Sequence, residues 1–280
     1  MVRMRIHRLR PSEGMIESIF DTVAEEKPLH LFLNGKYYAS ILSSPSKKRE
    51  LALGHLITEG LVNSVAEIEK LEMAEKDRCE VTLRKNVRVD ERLSMVTPFS
   101  RVISSSCGSA TAWPLSKLID RLRLPKILLD QKFEAGVILK ATQRLNQLAK
   151  RFRETGGLHA AALYDHRGKL LTLAEDVGRH NALDKAIGQW LMKGREVPAD
   201  SFASTTGRLS ADIVLKAVRV KIPLVASLSA PLESGVKVAR LSGLTLIGFV
   251  RGPRMNVYTG LERVTLKSSA TSLNSSQPSG

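Results

Sequence analysis

From His159 to Val250 the chain alternates short apolar runs with amphipathic segments of helical length, and this rhythm narrows the folds open to it. Residues 159–164 and 170–174 read as a hairpin turning at Asp165 and Gly168. A helix capped by Asn181 follows through Trp190 and Leu191, with Asp184 in its first turn. A strand near 201–204, a helix from Ser210 to Val218 and a strand over 222–227 come next. A helix after Pro231 stops at Gly243, and residues 244–250 close the series. The pattern predicts an α/β fold whose sheet has parallel members and helices on both faces.

The preceding half reads as a smaller α/β region. Residues 29–33 and 36–42 flank Asn34-Gly35, a hairpin signal because both turn residues tolerate positive φ. A helix after Ser46 carries Leu51, Leu53, Leu56 and Ile57 and ends at Gly60. Residues 79–83 alternate as a strand does, and a second short strand is expected around Val87 and Val89. Cys79 falls in that pattern and reads as a packed residue. Ile138, Ala141, Leu145, Leu148 and Phe152 recur at helical spacing. These readings divide the chain into a small α/β region (1–105), a loop and connecting segment (106–134), a larger α/β domain (135–265) and a Ser-rich tail (266–280) expected to be disordered.

Two cysteines cannot make a disulfide framework, and no apolar run is long enough to cross a bilayer, so the cytoplasm is the expected compartment. The formal charge of +15 attracts anions. Basic residues are scattered and aromatics are only 5%, which favours a phosphorylated cofactor or an acidic protein over a polynucleotide.

In open α/β sheets, ligands sit beyond the carboxyl ends of parallel strands, where helix amino termini also point. Three segments fall there. Thr206, Gly207 and Arg208 open one helix, Ser229, Ala230 and Pro231 precede the next, and Phe249, Val250, Arg251, Gly252, Pro253 and Arg254 form a turn with two guanidinium groups. Arginine binds phosphate oxygens bidentately, so the set suits a diphosphate or nucleotide. His159 beside Gly156-Gly157, and His180 after Arg179, could orient such a ligand or move protons. No spacing of ligands marks a metal site, and no Gly-x-Ser-x-Gly elbow marks a hydrolase. Cys107 lies among Ser104, Ser105, Ser106, Gly108 and Ser109. An accessible thiolate in an electropositive protein is nucleophilic and could carry a sulfane sulfur as a persulfide; it could equally be an unreactive loop residue.

Taken in order, several motifs resemble one family. They are Glu59-Gly60 after Leu53-Gly54-His55-Leu56, the Ser-Cys-Gly loop at Cys107, and Gly156-Gly157-Leu158-His159-Ala160-Ala161. Glu175 to Lys185, Asp212 to Ala217, Ile222-Pro223, Ser229-Ala230-Pro231 and Asn256-Val257-Tyr258-Thr259-Gly260 continue the series. From about residue 20 to 263 the chain resembles the FdhD family of formate dehydrogenase accessory proteins. The resemblance implies a cytoplasmic, sulfurtransferase-type sulfur carrier that accepts sulfur from a cysteine desulfurase and passes it to the molybdenum bis(guanine dinucleotide) cofactor of formate dehydrogenase. It further implies a homodimer and a three-layer fold similar to cytidine deaminase, with a smaller α/β N-terminal region. Deaminase zinc chemistry does not carry over: Ala160 and Ala161 follow His159 without the catalytic glutamate, and no Pro-Cys-x-x-Cys is present. By position, Cys107 matches the persulfide-bearing cysteine and Phe249 to Arg254 the cofactor-binding stretch, while His159, Arg179, His180 and Lys216 align with motif residues. The family loop usually reads Cys-Gly-x-Cys, whereas here it is Cys107-Gly108-Ser109-Ala110. The missing second cysteine leaves an alternative, a cofactor chaperone that transfers no sulfur.

Overall fold

The computed structural model describes residues 1–75, 77–89, 91–92, 125–128 and 130–266. Strands β1 (Val2–Arg10) and β2 (Met15–Val23) pair as a two-stranded antiparallel ribbon. Strands β3 (Lys27–Leu33), β4 (Lys36–Ser43), β5 (Ile68–Ala74) and β6 (Arg78–Leu83) form a sheet in the order β4-β3-β6-β5. The hairpin turns at Asn34 and Gly35 as the sequence predicts, with φ of 50° and 77°, the signature of a type I′ turn. Leu29, Leu31 and Leu33 all point inward, set by the two-residue period of the strand. Cys79 is a core residue whose thiol burial pushes up to about 11.

The second strand expected near Val87 and Val89 is absent. The Val87 amide instead donates to the Arg84 carbonyl at 3.0 Å in a turn, and β5 takes the place beside β6. Helix α1 (Lys48–Thr58) follows β4, and Gly60 stands just beyond its end with φ of 78°.

The larger sheet joins β8 (His159–Asp165), β9 (Leu170–Asp176), β10 (Ser201–Thr205), β11 (Leu224–Ser227), β12 (Thr245–Arg251) and β13 (Arg254–Thr259) in the order β13-β12-β11-β10-β8-β9. Here β11 runs parallel to both β10 and β12, and the other pairings are antiparallel. The series therefore does not close at Val250, because the chain reverses at Gly252-Pro253 and adds an edge strand. A small pair, β7 (Phe133–Glu134) with β14 (Val264–Thr265), lies apart.

Both faces of this sheet are buried. Along β8, Ala160, Ala162 and Tyr164 join one apolar cluster while Ala161 and Leu163 join the other. Helix α2 (Ala135–Leu148) covers the first face through Ile138, Ala141 and Leu145. The predicted helical run breaks at Ala149, whose ψ of 78° ends α2 and starts α3 (Lys150–Thr155), which carries Phe152. Helices α4 (Arg179–Leu191), α5 (Ala211–Arg219) and α6 (Glu233–Ser242) cover the second face, and their core runs on into that of α1 and the N-terminal sheet.

Asn181 does not cap α4. Gly178 occupies the cap position, and the Asn181 amide donates to the Leu42 carbonyl at 2.8 Å and to Asp176 Oδ1 at 3.0 Å. Helices α1 and α4 touch backbone to backbone, since a Cβ at Gly54 would lie 1.9 Å from the Asp184 carbonyl oxygen and one at Gly188 the same distance from that of Glu50. Buried charges surround the crossing. Lys216 Nζ donates to Glu59 Oε1 at 2.6 Å, Asp184 Oδ2 at 2.8 Å and Thr58 Oγ1 at 3.0 Å. Lys185, fully buried, pairs with Asp176 and donates to the Ser44 carbonyl at 2.9 Å.

Candidate functional site

The three strand-end segments come together. The amide of Leu228 donates to the Thr205 carbonyl at 3.2 Å and that of Phe249 to the Ser229 carbonyl at 3.0 Å. Ser227 Oγ, fully buried, donates to the Gly207 carbonyl at 2.7 Å and accepts from the Ser229 amide at 2.9 Å. These bonds line up the loops after β10, β11 and β12 along one edge of the sheet.

A cleft of about 490 Å³ opens at that edge. Its floor is Thr206, Leu228, Ser229, Val250, Arg251 and Gly252, and its far wall is Gln143 and Asn146 of α2 with Phe152 of α3. The volume falls within the range of about 300–1,000 Å³ usual for small-molecule sites. Arg251 is fixed by its Nε donating to the Leu228 carbonyl at 2.8 Å, which leaves the rest of an exposed guanidinium facing solvent. Gln143 donates through Nε2 to the Gly252 carbonyl, tying the wall to the turn.

Phe249 adopts φ of 52° within an irregular β12–β13 register, a conformation that costs a bulky residue about 1–3 kcal/mol and tends to occur at functional sites. Gly248 is required beside it, because a Cβ there would lie 2.6 Å from Pro231 Cδ. Of the six residues expected from 249 to 254, Val250, Arg251 and Gly252 line the cleft. Val250 does so from a fully buried position. Phe249 lies beside Arg251, its ring centroid 5.7 Å from the guanidinium carbon, and Pro253 and Arg254 are exposed on the turn.

Thr206 also belongs to a second, cationic group. Its amide donates to the Ala160 carbonyl at 3.0 Å, its hydroxyl accepts from the Ala160 amide at 3.1 Å, and His159 Nδ1 lies 3.4 Å from that hydroxyl. Burial, then the neighbouring Arg179 and His180, hold the His159 imidazole below its ordinary pKa, which favours the neutral ring. Arg179 packs over Gly207, where a Cβ would lie 2.8 Å from its own, and its Nε is buried without a hydrogen-bond partner. Burial and the nearby Arg208 cation lower the Arg179 pKa from its ordinary value. Arg208 is exposed, and His180 Nε2 lies 3.3 Å from Asp212 Oδ2 without hydrogen-bonding geometry. Ser210 Oγ, at the start of α5, is likewise buried and unpartnered. Unmet donors beside a threonine hydroxyl, in a group whose cations outnumber its acids, are what an anion such as a phosphate would satisfy. The residues therefore fit a phosphate group.

Sequence reasoning did not single out Gln143, Asn146 or Phe152 for this site. A signal existed: Gln143 and Asn146 stand three apart on α2 and so share a helical face. Cys107 and the loop around it lie outside the described residues, as do most of the connecting segment and the tail beyond residue 266.

A family model described as FdhD/NarQ matches residues 24–265. The chain belongs to the FdhD/NarQ family. Among relatives of this FdhD/NarQ chain, the protein of Sulfolobus acidocaldarius named sulfur carrier protein FdhD is 36% identical, over 94% of this chain and all of its own length. The one of Shouchella clausii, with the same name, is 35% identical over 89% of this chain and 92% of its own. A crystal structure from Desulfotalea psychrophila, assigned as a formate dehydrogenase accessory protein, superposes with a TM-score of 0.74 at 26% identity, covering 94% of this chain and 99% of that one. The mixed α/β architecture is therefore that of an FdhD/NarQ protein. Among the described residues, no helix is long and apolar enough to cross a membrane.

Proposed function

We propose that this chain is a cytoplasmic sulfur carrier serving formate dehydrogenase, with Cys107 as the carrying thiol and the strand-end cleft as the seat of a guanine dinucleotide arm of the molybdenum cofactor. The observation that carries the reading is the convergence of three sequence-distant loops on one cleft beside unmet cationic donors, in a chain whose relatives are named sulfur carriers. Arg251 and Thr206 would bind phosphate oxygens, with Arg179, Arg208, His159 and His180 at the second phosphate and Arg254 reinforcing the field from the turn. The deaminase-like layering and the homodimer belong to the same reading.

Cys107 thiolate would attack the terminal sulfur of a desulfurase persulfide, forming the Cys107 persulfide and releasing the desulfurase thiolate. Ala110 cannot supply a resolving thiol, so a nucleophilic acceptor would attack the outer sulfur of the Cys107 persulfide directly, its electron pair forming the new bond to sulfur as the S–S bond breaks and the Cys107 thiolate leaves. The same Ala110 favours the second reading, a chaperone that binds the dinucleotide and transfers nothing.

Intact mass after incubation with a cysteine desulfurase and cysteine separates the two. The carrier gains the mass of one sulfur, reversibly by reductant, and Cys107→Ala gains none. No gain in the parent chain, with the desulfurase active, leaves the chaperone. Calorimetric titration with GDP tests the cleft under either reading, with Arg251→Ala and Thr206→Val expected to weaken binding.

A further inference from the structure

The β1–β2 ribbon lies wholly ahead of the family match, which begins at residue 24, and the proposed sulfur and dinucleotide sites make no use of it. Its two strands are nine residues each and, among the described residues, pair only with one another, so both outer edges present backbone donors and acceptors without a strand partner there. A two-stranded ribbon is marginally stable alone in water, and open edges of this length are templates for strand addition.

Cross-strand register sorts its side chains. Opposite pairs Arg3–Thr22, Arg5–Phe20, His7–Ser18 and Leu9–Ile16 share one face. Leu9, Ile16 and Phe20 on that face are each more than 60% exposed. The face carries no carboxylate. Arg3 lies over the Phe20 ring at 5.0 Å, Arg5 Nε donates to Ser18 Oγ at 3.0 Å, and among the described residues neither guanidinium pairs with an acid. On the opposite face Arg10 pairs with Glu17 at 3.3 Å, and Asp21 adds a further acid. Both faces carry exposed apolar side chains, Val2, Met4 and Met15 among them on the opposite face, but there Arg8 and Arg10 are balanced by Glu17 and Asp21, whereas Arg3 and Arg5 share their face with no acid.

We infer that this face and its adjoining edge dock an extended, acidic segment of a partner protein, one that alternates carboxylates with aliphatic side chains. Backbone pairing to the open edge would seat the segment, its carboxylates meeting Arg3 and Arg5 while its apolar residues cover Leu9, Ile16 and Phe20. A second copy is disfavoured, because a two-fold contact buries this face against itself, and the face carries cations with no acid to meet them. A polynucleotide is disfavoured as well: Phe20, which already lies under Arg3, and the His7 imidazole are the face's two rings, too few to stack a run of bases.

The full chain would be titrated against a fluorescein-labelled peptide of roughly strand length, alternating Glu with Val and Ile, at physiological ionic strength. Controls are the same peptide with Lys for Glu, and oligouridylate. The acidic peptide is expected to bind and the lysine peptide not. Arg3→Glu with Arg5→Glu should weaken the acidic peptide roughly tenfold or more and confer binding of the lysine peptide, a reversal that an unfolded ribbon could not produce. Ile16→Ser should weaken the acidic peptide without conferring the reversal. Absent or charge-indifferent peptide binding overturns the inference. So does oligouridylate binding more tightly through the same arginines, or a dimer in sedimentation velocity that the double charge reversal dissolves.

Discussion

Arg179 packs over Gly207 with its Nε buried and unpartnered, so its charge is held in place without being spent on the fold. Removing it costs the folded chain no hydrogen bond at Nε, whereas a bound phosphate would lose a charge-assisted one. Arg179→Met is therefore expected to unfold within about 0.5 kcal/mol of the parent in urea, yet to bind GDP roughly tenfold more weakly or worse by calorimetry. Equal GDP affinity would remove Arg179 from the site. Gly207→Ala tests the same contact from below, because the new methyl must displace the Arg179 stem. Residue identity made much of this readable: Thr206, Gly207 and Arg251 stood out in the sequence as a phosphate-binding set, and the fold brings Thr206 and Arg251 into one cleft. Arg179 was visible only as a motif residue, since burial of one nitrogen depends on what packs over it.

Helices α1 and α4 owe their contact to two glycines. At Gly54 and Gly188 the opposing backbones leave no room for a methyl group, and both obstructing atoms are main-chain oxygens that no rotamer change can move. Gly54→Ala and Gly188→Ala should each destabilise by about 1–3 kcal/mol or more through overpacking, read as a lowered melting temperature. The double variant should lose less than the sum, because the first substitution already separates the helices. Helix propensity alone predicts the opposite sign, as alanine favours a helix over glycine by about 1 kcal/mol, so the measurement isolates the crossing. Elements dictated by local chemistry were legible beforehand, such as the Asn34-Gly35 hairpin and the stop of α6 at Gly243. Elements settled by competition for partners were not. Val87 and Val89 alternate as a strand would, yet β5 holds the neighbouring edge, and Asn181 has a capping side chain that Leu42 and Asp176 engage instead.

Across the whole molecule, α1, α4 and α5 meet around Lys216, Glu59 and Asp184. Burial opposes ionisation of all three groups, and their mutual attraction overcomes it. The Glu59 carboxyl is held at about 2 and Asp184 is lowered as well, while Lys216 is raised above its ordinary value. Carboxylates with depressed folded pKa values contribute stability that is complete above the ordinary value of 4.5 for Glu59, and it disappears as pH falls toward about 2. For Lys216 the sense reverses, its contribution being present below 10.5 and lost above. Lys216→Met strands two carboxylates and should cost about 3–5 kcal/mol at neutral pH. The gap between parent and variant in urea unfolding should then shrink on acidification below pH 4.5, as the carboxylates protonate. A gap independent of pH would mean that packing of the lysine stem, rather than its charge, holds the helices together.

The alternation of apolar runs determined by itself that this chain builds an α/β sheet covered on two faces, and the glycine-flanked hydroxyls and arginines marked loops that line one cleft in the fold. Both are properties of short spans, set by backbone φ preferences and by hydrophobic period. Tertiary structure alone decided that β13 closes the sheet antiparallel, that α2 and α3 supply a wall to the cleft, and that Asp184 and Lys185 serve the interior rather than a ligand. Such choices depend on which distant groups reach one another once water is excluded, and no window of sequence contains both partners of a contact between Glu59 and Lys216.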